Sequence, residues 1–161
     1  MENRLWIILG IAVFLTIVVA AGCRVFTSRK APEKKVIAEN VELNKEWLEI
    51  TPKQTLNATT RIHFVGLKLP NISGYADDKQ TKLKLVDGSE VSIEIELIDN
   101  GGVSSRLFPN GIGEYVDFGK RTVNDVPSSS YFHPGEQFTK MRLRSNKSLT
   151  VDEIVWREFE F

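Results

Sequence analysis

Lys82-Leu83-Lys84-Leu85-Val86-Asp87-Gly88-Ser89-Glu90-Val91-Ser92-Ile93-Glu94-Ile95-Glu96-Leu97 is the stretch on which the fold turns. Leu83 and Leu85 alternate with Lys82 and Lys84, and Val91, Ile93, Ile95 and Leu97 alternate with Ser92, Glu94 and Glu96. A period of two on both sides of Asp-Gly predicts an antiparallel hairpin with one buried and one solvated face. Directly opposed residues share a face, and the apolar set is odd-numbered on both arms, so paired numbers must sum to an even value. A two-residue Asp87-Gly88 turn would set Leu85 against Glu90 and breaks that rule. A three-residue loop of Asp87, Gly88 and Ser89 pairs Leu85 with Val91 and Leu83 with Ile93, and faces Lys82 towards Glu94. Such loops place Gly in the left-handed conformation beside a bulge. The Lys and Glu stripes then form cross-strand ion pairs worth roughly a few tenths of a kcal/mol each.

The same alternation extends outward in both directions. Upstream, Trp47-Leu48-Glu49-Ile50 ends at Thr51-Pro52, and Arg61 to Gly66 ends before Pro70. Downstream, Asp99-Asn100-Gly101-Gly102 reads as a turn before strands over 103–108 and 115–118. The longest irregular stretch, 120–136, holds Pro127, three serines and Tyr131-Phe132-His133-Pro134-Gly135. Two strands close the chain, one with Met141 and Leu143 alternating with Lys140, Arg142 and Arg144, the other running from Ile154 to Phe161. If these two pair, Arg142 and Arg144 meet Glu158 and Glu160 on one face. The basic stripe then requires no nucleic acid.

This succession resembles the galactose-binding-like (discoidin-type) jelly-roll sandwiches: a hairpin around Asp87-Gly88, a long serine- and aromatic-containing loop, then Phe138 to Lys147 leading to Ile154-Val155-Trp156. The resemblance covers 41–161 and implies an all-β, antiparallel jelly-roll-like β-sandwich that binds ligands, often glycans, through loops at one end. No residue matches a defined ligand motif of that family, so none is carried over from it.

The N-terminus has a different character. Leu5 to Cys23 is uncharged and lies between Arg4 and Arg24. At about 1.5 Å per residue a helix of that length reaches roughly 28 Å, near the thickness of a bilayer's hydrocarbon core. A retained single-pass anchor, inserted through 5–22, is therefore expected to precede the domain. Ala20-Ala21-Gly22-Cys23 also resembles a lipobox, in which Cys23 would be lipidated and become the mature N-terminus. Ala20 departs from the Leu of that pattern, and the apolar run exceeds the ~7–15 residues of a signal peptide's core. Residues 24–40 read as a basic, polar linker and 41–161 as the domain. The lysines and arginines after the span argue for a cytoplasmic domain, whereas a short N-terminal tail before a hydrophobic run argues for export. The expected placement is periplasmic or extracellular.

With 21 basic and 21 acidic residues among 161, the chain carries no net field to attract nucleic acid. Cys23 is its only cysteine, so a disulfide within the domain is excluded. His63 and His133 are the only histidines, and neither has the companions of a catalytic triad, a paired-His metal site or a phosphate loop. Asp77-Asp78 could contribute oxygens to calcium, but a solvated turn is the preferred account. No cofactor, metal or catalytic residue is expected. The ligand-binding candidates are Tyr75, Tyr131, Phe132 and His133, rings in or near loops that could stack on a glycan or other envelope ligand. The competing expectation for Tyr131 and Phe132 is a plug that closes one end of the core. The functional expectation is a membrane-tethered, non-catalytic binding module. Its alternative is an envelope accessory or assembly protein working through protein contacts.

Overall fold

The computed structural model describes residues 33–120 and 132–160. The expected anchor, Cys23 and Tyr131 lie outside them. Twelve strands follow in order: β1 (Glu33–Leu43), β2 (Leu48–Ile50), β3 (Leu56–Asn57), β4 (Ile62–Lys68), β5 (Ile72–Tyr75), β6 (Leu83–Leu85), β7 (Glu90–Val91), β8 (Ile93–Asp99), β9 (Ser104–Ile112), β10 (Val116–Gly119), β11 (Gln137–Ser145) and β12 (Leu149–Phe159). The described residues are all-β and antiparallel, as the alternation predicts, and contain no helix long and apolar enough to cross a membrane. Nine strands hydrogen-bond along the path β1-β12-β4-β10-β9-β8-β11-β2, with β3 also on β11, and β5-β6-β7 form a separate small sheet. The bend in that path is β9: Leu107 faces Ile95 of β8, while Phe108 to Ile112 pair with β10. Val65, Phe118, Ile154 and Trp156 from one half meet Ile95, Leu97, Met141 and Leu143 from the other in a single core. This architecture is compatible with a sandwich or a barrel.

The Asp87-Gly88 hairpin forms with the parity argued above, but two residues away in register. Leu83 faces Val91 and Lys84 faces Glu90, while the Leu85 N–H donates to the Ser89 carbonyl at 2.8 Å. The loop is Val86-Asp87-Gly88. Gly88 has φ +81°, and in a three-residue loop the left-handed position is the third, so Gly88 has to end the loop rather than sit at its middle. The Asp87 carboxylate accepts the Ser89 N–H at 2.9 Å and tightens the turn. Nor is the second arm one strand. At Ser92 the chain leaves the small sheet for the large one, held there by its N–H donating to Asn146 Oδ1 at 2.9 Å. Lys82 therefore meets Glu90 (3.2 Å), and Glu94 is left for other partners.

The two last strands do not pair with each other. β11 lies between β8 and β2, with Met141 opposite Leu97 and Leu143 opposite Ile95, whereas β12 lies between β1 and β4. Their link crosses from one half of the sheet to the other. Ser145 N–H donates to the Asn44 carbonyl at 2.7 Å, and Asn146 N–H donates to the Ser92 carbonyl at 3.1 Å, which pins the crossing.

The stretch expected as a linker is partly strand. β1 begins at Glu33, so 33–40 belong to the domain. Its sequence hides this because β1 is an edge strand with mostly exposed side chains, and its period is broken by a register shift between Val36 and Ala38 and by Asn40 at φ +53°.

Candidate functional site

The ring residues singled out by sequence do not converge. Tyr75 faces Leu83 in the small sheet, which is inserted where β4 ends at Lys68 and β8 begins at Ile93. Phe132 and His133 sit at the opposite end, between the end of β10 and the start of β11. Phe132 is 2% exposed and packs against Phe138 (5.5 Å between ring centroids) and Trp156 (5.1 Å), so it is a plug ring and not a ligand platform. Lys120 lies 5.2 Å above its ring and pairs with Glu136, covering that end of the core. His133 is exposed, its N–H donating to the Glu136 carboxylate. Asp77 is occupied in its own turn. Its carboxylate accepts the Thr81 N–H at 2.8 Å, the Lys82 N–H at 2.9 Å and the Thr81 hydroxyl, and the hydroxyl bond above all lowers its pKa. No group of three or more metal-ligating side chains occurs among the described residues.

His63 is fully buried on the inner face of β4, its ring stacked on Trp156 at 5.0 Å. The Thr59 N–H donates to its Nε2 at 2.9 Å, so in the neutral ring the proton is on Nδ1. Burial lowers its pKa. The nearby Glu158 charge opposes that shift, while Lys35 and Arg61 reinforce it. Thr59 Oγ1 also reaches Glu158 at 3.2 Å, and Arg61 pairs with Glu158 at 3.2 Å. These residue types could move protons, but an imidazole with no exposed surface offers a substrate no approach.

Two outer faces carry dense charge, all of it paired. On the β8-β9-β11 face, Arg142 meets Glu96 (2.7 Å), Glu94 is shared by Arg144 (3.0 Å) and Arg106 (3.3 Å), and Lys140 reaches Glu49 (2.8 Å). Trp47 lies over Arg142 and Arg144 at 4.9 and 4.5 Å, a stacking role that its sequence position does not disclose. On the β4-β10-β12 face, Arg157 Nη1 donates to both carboxylate oxygens of Asp117 (2.7 and 2.8 Å), with the guanidinium between the rings of Tyr115 and Phe159. Burial outweighs that pair and raises the Asp117 pKa. Lys34 donates to Tyr115 Oη at 2.9 Å and pairs with Glu153 at 3.1 Å. Glu153, which also accepts the Tyr115 hydroxyl, has its pKa lowered first by that bond.

The remaining feature is a seam. β1 and β2 are the two ends of the sheet path, so among the described residues each has one strand neighbour and one open edge. Between the edge of β1 and the connection from β2 to β3 runs a groove of about 260 Å³, lined on one side by Lys35, Val36 and Ile37 and on the other by residues 52–56. Lys35 stands opposite Trp156 in register, on the core-facing side of β1, yet remains exposed because no strand lies beyond it. Val36 is 47% exposed. Of the eight lining residues two are lysines, Lys35 and Lys53, and none is acidic. Neither lysine has an ion-pair partner among the described residues. Sequence reading missed this site because Lys35, Val36 and Ile37 fell within the expected linker. Compared with known protein families, curated proteins and solved structures, the chain matches none.

Proposed function

We propose that the chain is a membrane-tethered, non-catalytic interaction module that docks a protein partner at the seam between β1 and the β2-β3 connection. The observation that carries this reading is the edge of β1, open among the described residues, along a groove with exposed Val36 and two lysines that have no ion-pair partner among those residues. An edge strand with free N–H and C=O groups is a ready template for an added strand. The groove is smaller than the ~300–1,000 Å³ of small-molecule sites, which favours a chain segment over a compact ligand. The tether is the uncharged run 5–22, with the domain on the periplasmic or extracellular side. The jelly-roll-like sandwich and its likeness to discoidin-type domains enter as the scaffold for this edge. Glycan stacking gains no support from Phe132, which is in the core, or from Tyr75, at the other end of the sheet.

A photo-crosslinking amino acid at Val36 of the full-length chain, in its native membrane, tests the reading against the same probe at Val86 and Val103, which are 69% and 65% exposed away from the seam. Discrete protein adducts at Val36 alone are expected. Adducts equally frequent at all three positions, or absent at Val36, refute it.

A further inference from the structure

The geometry points to an extended, acidic segment of a partner protein as the occupant of the seam, added as a strand to β1 with its carboxylates on Lys35 and Lys53. This rests on the docking reading above and supplies the chemistry of the partner.

Three features select that chemistry. The first is the backbone edge: β1 is hydrogen-bonded to β12 on one side only, so an extended chain can take the other. The second is charge. On the β8-β9-β11 face a dense basic stripe meets acids of neighbouring strands, whereas the seam presents Lys35 and Lys53 with no acidic residue among its lining. A carboxylate from outside supplies what the fold omits. The third is the apolar part of the lining, Val36, Ile37, Pro52 and Leu56, which suits side chains alternating with those carboxylates along a strand. A second copy is disfavoured by the same lysines, because a two-fold pairing of seams sets Lys35 and Lys53 of one copy against those of the other. Lys35 has a competing role as an inward-pointing charge that keeps a bare edge from self-association.

The test uses full-length protein in a non-ionic detergent and two fluorescent probe peptides, one alternating Glu with Val and the other Lys with Val, titrated by fluorescence anisotropy. The Glu-Val peptide is expected to bind and the Lys-Val peptide not. Lys35→Glu with Lys53→Glu should weaken the acidic peptide about tenfold or more, and raised salt should weaken it too. N-methylating alternate backbone nitrogens of the peptide should abolish binding if it pairs as a strand. Near-UV circular dichroism establishes that the charge-reversed protein is folded; if it is not, Lys35→Gln with Lys53→Gln replaces it, with a loss of about threefold or more expected. Equal binding of both peptides, or a folded variant that binds undiminished, overturns the acidic assignment while seam-specific Val36 adducts still uphold docking. Absence of those adducts removes the docking reading itself. A β1-mediated dimer by sedimentation, or self-association in Lys35→Val with peptide binding unchanged, also overturns the proposal in favour of a second copy or of edge protection.

Discussion

The β8-β9-β11 face and the seam beside β1 both carry basic side chains, and their charges end differently. On the face, Arg142, Arg144, Arg106 and Lys140 each have a carboxylate, because neighbouring strands set an acid directly opposite Arg142 and Arg144 and diagonally from Arg106 and Lys140. At the seam, Lys35 and Lys53 stand where the sheet path stops. A charge is explained by what lies beside its strand rather than by the strand's own pattern. That is why the basic stripe at 140–144, the more conspicuous of the two in sequence, has the less to say about function.

The comparison can be broken from the seam side first. A fragment beginning at residue 40 lacks most of β1, uncovering the β12 edge and the inner row of Ile154 and Trp156, whose β1 partners are Ala38 and Lys35. It should fail to unfold cooperatively, while a fragment beginning at residue 32 should melt in one transition. Two equal melting curves would mean that β1 is dispensable and its edge no site. Behind the seam, Phe132→Ala removes a plug ring 2% exposed and should cost about 3–5 kcal/mol in denaturant unfolding. A loss below about 0.5 kcal/mol would return Phe132 to the ligand candidates.

On the closed side, Gly66→Ala should cost about 1–3 kcal/mol, since an added Cβ would stand 2.8 Å from Arg157 Cδ and 2.9 Å from Val155 Cγ2. An unchanged midpoint would show that face to be less tightly packed than the ladder comparison requires. Acid acts on the interior between the two regions. The folded pKa of His63 is lowered, so the folded state prefers the neutral ring and the unfolded state takes up the proton first. Its contribution is present above about pH 6.5 and lost as pH falls through that value towards the lower folded pKa. Thermal midpoints at pH 7.5 and 5.5 should therefore differ less in His63→Gln than in the parent chain; an equal difference would remove His63 as the cause. The smallest effects concern the charges themselves. Arg142→Ala should cost about 0.5–1 kcal/mol, because it leaves half-buried Glu96 without its 2.7 Å partner. Lys53→Ala should change stability by less than about 0.5 kcal/mol. If both cost the same, the paired charges of the face and the lysines of the seam do not differ in energy.

Much of the site lay beyond what alternation reports. The Gly88 turn was legible because only a few loop geometries join two strands, and one of them needs a left-handed third residue. Its register was missed by two because parity is blind to a shift of two. Lys35 and Val36 were invisible as a site because an edge strand with one neighbour has no reason to alternate cleanly, and a bulge at Ile37 removed what period remained. Phe132 sits in a polar stretch, and nothing local tells an inward ring from an outward one.

Alternation alone establishes that the domain is all-β, that the odd-numbered set of 93–97 together with Met141 and Leu143 faces inward, and that 5–23 is unlike everything after it; on β12 it set Glu158 outward, whereas Ile154, Trp156 and Glu158 are all buried. Long-range packing adds that β11 lies against β8 and β12 against β1, that His63 and Phe132 are core, and that among the described residues the sheet stops at a seam whose two lysines face no acid. The reason is physical. Side-chain alternation is set by the pleat of one strand, but every strand offers its neighbours the same backbone N–H and C=O groups, so which strand comes to lie beside which is settled by packing across the whole core.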